Sequence, residues 1–257
     1  MKIALLGYGK MGKIIAEMAP DRGHVVAVAI DNDKEWTQKE GLLKRCDIAI
    51  EFSTPVTAIK NIRRCFAAGL PVVVGTTGWY DQLNALVEEC GRANAALFVS
   101  SNFSIGMNLV FEMNRRLAKM MNAHKEYSVC VEETHHVHKW DAPSGTAITL
   151  ANDIVAQRDD KTGWQLVEET YFDPQTNQTT SKHHEERESS KVSVTSKRRG
   201  EEAGTHTIRY VSEVDAITLT HETFDRQGLA MGALLAAEFL EDKKGYYTMR
   251  DLLDFDK

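Results

Sequence analysis

Residues 2 to 31 constrain this chain more than any other stretch. A short apolar run, Lys2–Leu6, ends in Gly7-Tyr8-Gly9-Lys10-Met11-Gly12. A helical apolar pattern follows (Met11, Ile14, Ile15, Met18), then a second apolar run, Val25–Ile30, that stops at Asp31. Strand, glycine turn, helix, strand and acid is the order of a dinucleotide-binding βαβ unit. Gly7 turns the chain, Gly9 lets backbone approach a pyrophosphate, and Gly12 lets helix and strand pack closely. The diphosphate then meets the unpaired N–H groups and the positive dipole end of the helix. Asp31 is placed to accept hydrogen bonds from the adenosine ribose. The same glycines could serve a plain tight turn; the flanking strands and the terminal acid favour the cofactor.

The alternation continues. Asp47–Glu51 reads as a buried strand, and Ser53-Thr54-Pro55 caps a helix with proline at its first position. Val72–Val74 is another strand, ending at Gly75-Thr76-Thr77-Gly78, and Leu97–Val99 a fifth, ending at Ser100-Ser101-Asn102-Phe103. Short apolar runs alternating with amphipathic helices specify an α/β fold with a parallel, doubly wound sheet, here an N-terminal Rossmann dinucleotide-binding domain. Ligands of such sheets bind beyond the carboxyl ends of the strands. Gly75, Thr76, Thr77, Ser100, Ser101, Asn102 and Phe103 are therefore cofactor-contact candidates, although such residues also favour ordinary turns. The cofactor is NADH or NADPH. Asp31 repels the extra phosphate of NADPH and its neighbours offer only Lys34 to receive one, so NADH is favoured.

With 257 residues and a net charge of -6 the chain has ample material for a core and no basic footprint for nucleic acid. Lys197-Arg198-Arg199 runs directly into Glu201-Glu202 and reads as a solvated hairpin, with a local anion site as the alternative. Cys46, Cys65, Cys90 and Cys130 have neither metal-ligand nor disulfide-framework spacing, which suits reduced thiols in the cytosol. No leader-like segment and no membrane-spanning apolar run is visible, so a soluble, cytoplasmic protein without a membrane partner is expected.

Ile105–Asn122 carries Met107, Leu109, Val110, Met113, Leu117, Met120 and Met121 at mostly helical spacing, read as one core-facing helix linking to a second domain. Ser128–Glu133 alternates like a strand, and then come His135, His136, His138 and Lys139. On a continuing strand these side chains would split between two faces, so they are expected on a loop where they can converge. Three imidazoles could bind a metal, but no further ligand has familiar spacing and Lys139 opposes a cation, so no metal is expected. Proton transfer and anion binding fit better. Directly afterwards, Asp141-Ala142-Pro143-Ser144-Gly145-Thr146 opens a helix that Ser144 or Asp141 can cap. The exposed N–H groups of Gly145 and Thr146 offer a carboxylate site there. Together these features imply a reductase acting on a small anionic substrate.

The run Glu133-Thr134-His135-His136-Val137-His138-Lys139-Trp140-Asp141-Ala142-Pro143-Ser144-Gly145-Thr146-Ala147 closely resembles the signature of the dihydrodipicolinate reductase family (4-hydroxy-tetrahydrodipicolinate reductases). The resemblance extends to Gly7–Gly12, Gly75–Gly78, Ser101–Gly106, Leu219-Thr220-His221 and Met249–Leu253, nearly the whole chain. It implies NADH- or NADPH-dependent reduction of dihydrodipicolinate to tetrahydrodipicolinate in the diaminopimelate route to lysine. It assigns His135 as general acid/base, Lys139 as proton donor, and His136, Gly145 and Thr146 as substrate ligands. It gives the cofactor to Gly7, Tyr8, Gly9, Lys10, Met11, Gly12, Asp31, Gly75–Thr77 and Ser100–Phe103. It also implies a dinucleotide domain of residues 1–106 and 221–257, to which a helix from about Leu229 to Leu240 returns. Residues 107–220 would form an α+β substrate and oligomerisation domain with an open mixed sheet, paired into a homotetramer. Two stretches depart from the family pattern: the connection before Asp47 is short, and residues 170–204 diverge, including Lys182-His183-His184-Glu185-Glu186-Arg187.

Rival readings remain distinguishable. An acylating semialdehyde dehydrogenase needs an activated cysteine, a cofactor-sensing regulator would bind NADH without turnover, and a histidine-metal hydrolase would purify with metal.

Overall fold

The computed structural model describes residues 1–173, 176, 178–184 and 186–255. The first elements are β1 (Lys2–Leu6), α1 (Lys10–Met18), β2 (Val25–Ile30), α2 (Asp33–Lys39), β3 (Ile48–Glu51), α3 (Pro55–Ala67), β4 (Val72–Val74), α4 (Leu83–Arg92) and β5 (Ala96–Val99). Next come α5 (Ile105–Met121), β6 (Ser128–His135), α6 (Gly145–Gln157), β7 (Gly163–Asp173), β8 (Gln178–His183), β9 (Lys191–Arg199), β10 (Gly204–Val211) and β11 (Ala216–Thr223). The chain closes with α7 (Gln227–Phe239), β12 (Gly245–Tyr247) and α8 (Met249–Leu253). It divides into two compact units, Met1–Ile105 with Arg226–Lys257, and Gly106–Asp225. Glu185, in the divergent run, lies outside the described residues.

The first unit is one parallel sheet in the order β12-β5-β4-β3-β1-β2. Both faces are covered, which is why its strands read as unbroken apolar runs. Leu6, Val72 and Val74 pack with Ile62, Phe66 and Leu86 on one side. Ile3, Leu5, Val73 and Phe98 pack with Ile15, Ala233, Leu234 and Ala237 on the other. α3 starts as its sequence indicates, with Pro55 in its first turn and a Thr54–Thr57 capping box. The third strand begins one residue later than expected, because the Asp47 carboxylate instead accepts the Lys2 N–H at 2.6 Å. α7 contributes the buried small residues Ala230, Gly232, Ala233, Ala236 and Ala237, which permit close backbone approach.

The second unit is a mixed sheet in the order β11-β10-β6-β9-β7-β8. β9 runs parallel to both β6 and β7, and the remaining pairs are antiparallel. Val129, Val131, Val194, Ile208 and Tyr210 face a core shared with Met107, Val110, Leu150 and Ile154 of α5 and α6. The opposite face is left open by this chain: along β6 buried residues alternate with half-buried ones.

Three expectations need correction. β6 continues through His135, because Thr134 and His135 pair with Lys197 and Arg198 of β9; only the residues after His135 lie on a loop. The second unit keeps the chain until Asp225 rather than releasing it at residue 220, since β11 pairs with β10 as far as Thr223. The apolar residues of α5 form two stripes rather than one core face. Met107, Val110 and Met121 are buried, while Leu109, Met113 and Met120 lie on the opposite side, 44–64% exposed. Among the described residues, no helix is long and apolar enough to cross a membrane.

Candidate active site

At the carboxyl ends of the parallel strands, each departing segment bonds back to its neighbour. Gly7 N–H donates to the Ile30 carbonyl at 2.8 Å, Phe52 to Leu6 at 2.8 Å, Gly75 to Glu51 at 2.9 Å and Ser100 to Val74 at 3.1 Å. The glycine turn, Gly75–Thr77 and Ser100–Asn102 thus share one edge of one sheet. α1 begins at Gly9 with no side-chain cap and no acid in its first turn, so its first N–H groups are left for an anion. A Cβ at Gly9 would meet nothing within 4 Å, whereas one at Gly12 would sit 2.3 Å from the Gly7 carbonyl oxygen. Open above Gly9 and tight beneath Gly12, the turn fits a dinucleotide diphosphate. Tyr8 and Lys10 are exposed beside it, and Met11 packs partly onto the core. Asp31 lies exposed at the end of β2 and accepts the Tyr8 N–H at 2.7 Å, tying the acid to the turn. The Phe103 ring stacks on Phe98 in the core at 1% exposure, so what Phe103 can offer a cofactor is its backbone. Sequence reading also passed over Glu51, fully buried at the tip of β3. Burial raises its carboxyl above the usual range, against donors from Ser53 and Asn61.

The chemistry-bearing groups of the second unit stand in two rows across its sheet. Ser196 of β9, Glu133 of β6, His206 of β10 and His221 of β11 are register partners. One step along, Arg198 pairs with His135. Glu133 is wholly buried. Its Oε1 accepts the Ser144 N–H at 3.0 Å, the Ser196 hydroxyl at 2.8 Å and Arg198 Nη2 at 3.2 Å. Its Oε2 faces His135 Nδ1 at 3.3 Å and His206 Nε2 at 3.8 Å. Burial alone would raise this carboxyl; His135, Ser144 and Ser196 outweigh it and hold Glu133 well below the carboxylate range. Burial and the neighbouring His135 push His206 down to about 3, so it is neutral. Breaking a buried ion pair such as Arg198–Glu133 costs about 3–5 kcal/mol, so the arrangement is firmly fixed.

Around this centre lie the residues that the sequence pointed to. His135 closes β6, its ring edge-on to His206 with centroids 5.0 Å apart. Its Nε2 lies 3.0 Å from where a Gly204 Cβ would be, and Gly204 holds φ +153°, so the glycine supplies both space and backbone shape. Lys139 lies on the following loop, its Nζ donating to both Asp141 carboxylate oxygens at 2.8 and 2.9 Å. An ammonium has three donors, so one remains for substrate. His136 is half-buried on this loop, while His138 faces Glu201 at 3.4 Å and is largely exposed. Ser144, not Asp141, caps α6, its hydroxyl accepting the Ala147 N–H at 3.2 Å. The Gly145 and Thr146 N–H groups have no acceptor among the described residues and remain available to a carboxylate.

Arg198 overturns the solvated-hairpin reading of Lys197–Arg199. Its guanidinium is 1% exposed and donates to the carbonyls of Lys139 at 3.3 Å and Asp141 at 2.5 Å as well as to Glu133. Strand period was the available signal: with Lys197 and Arg199 outward, Arg198 must point in. Glu133, His135 and His206 also offer three ligand atoms within 4.8 Å. The Arg198 guanidinium already supplies the counter-charge to that carboxylate and opposes a cation there. As for a nucleophilic thiol, burial raises all four cysteines, the opposite of activation.

Residues 1–103 match the family described as dihydrodipicolinate reductase, N-terminus, and residues 106–253 its C-terminus. The 4-hydroxy-tetrahydrodipicolinate reductase of Christiangramia forsetii is 43% identical over 253 residues, 98% of either chain. That of Methanopyrus kandleri is 35% identical over 84% of this chain and 74% of its own. A dipicolinate-bound dihydrodipicolinate reductase from Paenisporosarcina shares the fold at TM-score 0.71 and 21% identity, covering 96% of this chain and 97% of its own. With a strand-tip nucleotide cradle in one unit, a buried acid–base row in the other and both halves matched, the chain belongs to the dihydrodipicolinate reductase family.

Proposed function

We propose that this chain reduces 4-hydroxy-tetrahydrodipicolinate (dihydrodipicolinate) to tetrahydrodipicolinate with NADH or NADPH, in the diaminopimelate route to lysine. The observation that carries this is the match of both halves to one reductase family, joined to a second unit equipped for a dianion. The dipicolinate in the Paenisporosarcina structure is itself a planar dicarboxylate.

A bound dihydronicotinamide supplies the hydride; Gly7–Gly12, Asp31, Gly75–Thr77 and Ser100–Asn102 would hold its nucleotide. The chain's own residues do the rest. The N–H groups of Gly145 and Thr146, at the positive end of a 13-residue helix, receive one substrate carboxylate. Lys139 and His136 offset the second negative charge and leave the ring electron-poor. His135 is the general acid/base through Nε2, and Lys139 donates the proton that traps the reduced substrate. Asp141, on two of the lysine's three donors, fixes where that proton is delivered.

The test is a coupled assay with enzymatically generated dihydrodipicolinate, titrating each cofactor and following loss of dihydronicotinamide absorbance. Turnover is expected with both. Binding of NADH without turnover would overturn the assignment in favour of a cofactor sensor.

The working form is a cytoplasmic homotetramer. The second sheet supports this: Cys130, Glu132, Thr195, Thr207 and Arg209 line a concavity on one of its faces that the described residues leave open. Sedimentation equilibrium should return four times the chain mass, and a monomer would refute it.

A further inference from the structure

We propose that Glu133 is the positioning residue of the site: one buried carboxylate simultaneously orients His135, the start of α6 and the Lys139 loop. It rests on the reductase reading and adds to it a residue that never needs to touch substrate.

Glu133 stands where packing alone would place an apolar side chain. Val129, Val131, Glu133 and His135 all point inward along β6, and the first two are core. A buried charge in that series is tolerated only when it is compensated, and here segments distant in sequence converge on it: three donors meet Oε1, and two imidazoles face Oε2. Oε1 gathers the Ser144 backbone N–H, fixing the residue just before the free N–H groups of Gly145 and Thr146. It also gathers Arg198, which in addition donates to the carbonyls on either side of Trp140 and to that of Lys197. Trp140 itself is 98% exposed, so these bonds, with that of the Val137 N–H to the Gly200 carbonyl, and not packing of that ring, tie the loop down. Lys139 is thereby anchored to Glu133 at one remove.

Oε2 is left for the rings. His135 Nδ1 lies 3.3 Å away. A carboxylate there orients the ring from its Nδ1 side and leaves Nε2, over Gly204, to meet substrate. His206 and, behind it, His221 face the same row; burial lowers both, so neither competes as a cation for Glu133. Ser196 and Arg198 from β9 complete the ring of groups around the carboxylate.

Two variants separate positioning from simple structural support. Glu133→Gln keeps the shape and removes the charge; Glu133→Asp keeps the charge and shortens the reach. For Glu133→Gln, kcat should fall by about 10- to 100-fold with NADH affinity unchanged. The limb of its kcat profile that falls with rising pH should move to lower pH, since an imidazolium beside an amide gives up its proton more readily. For Glu133→Asp, kcat should fall while that limb stays at its wild-type position, and calorimetry should show weaker dipicolinate binding. Wild-type kcat in either variant, or equal losses with the limb unmoved in both, would overturn the proposal. Should Glu133→Gln fail to fold, Glu133→Asp decides alone: reduced kcat and weakened dipicolinate binding at unchanged NADH affinity support it, and wild-type values refute it. Wild-type protein without turnover would instead sink the reductase reading, a separate result.

Discussion

The two units build a helix start in opposite ways. α1 begins without a side-chain cap, at an exposed Gly9 where a Cβ would meet nothing within 4 Å. α6 begins with a buried capping residue, Ser144, tied to the Glu133 carboxylate and the His206 imidazole. The first leaves free N–H groups and room, which suits a diphosphate. The second sets buried charge around its helix start and so fixes side chains in place. Backbone recognition depends on what is missing at a position; side-chain recognition depends on what is assembled around it.

If that division holds, each region can be damaged without the other. The largest effect belongs to the proton-handling pair: His135→Ala and Lys139→Ala should each lower kcat by about 10²- to 10⁴-fold, while NADH affinity by calorimetry stays at the wild-type value. A parallel loss of NADH binding would erase the distinction. Gly12→Ala is the mirror experiment. Its new methyl would meet the Gly7 carbonyl oxygen, a strain of about 1–3 kcal/mol, so NADH should bind on the order of tenfold more weakly with dipicolinate affinity retained.

Gly204→Ala sharpens the second region. The added carbon would lie 3.0 Å from His135 Nε2 at φ +153°, so kcat should drop on the order of tenfold and stability by about 1–3 kcal/mol. Unchanged turnover would show that Nε2 is not the working nitrogen. Acid unfolding probes the same row. Neutral His206, at about 3 when folded against 6.5 unfolded, stabilises the protein fully above pH 6.5. As pH falls from about 6.5 towards 3 the unfolded chain takes up a proton that the native ring refuses, so stability drops by up to ~1.4 kcal/mol per pH unit. Urea midpoints of wild type and His206→Gln across that window should diverge, the variant showing the shallower slope. The smallest effect is expected at the nucleotide edge, where Asp31→Ser should improve NADPH use relative to NADH by about tenfold or less, worth about 1.4 kcal/mol; an unchanged ratio would remove Asp31 from cofactor selection.

The first unit was largely written in the sequence, because each of its signals is local. A strand buried on both faces is an apolar run, a tight turn is a glycine, and β1, β2 and β4 begin and end where those runs do. His135, Lys139, Gly145 and Thr146 stood out as candidates for the same reason, lying within a dozen residues of one another. Tertiary structure alone decided what surrounds them. Ser196, Glu133, His206 and His221 become neighbours only when β9, β6, β10 and β11 pair in that order, and Arg198 turns from an apparent surface charge into a buried one because β9 is a central strand. The Phe103 ring went the other way, into the core against Phe98. Sequence determines which groups can do chemistry; the sheet's pairing order determines which are brought together, since hydrogen-bonded register sets distances between residues that chain connectivity leaves far apart.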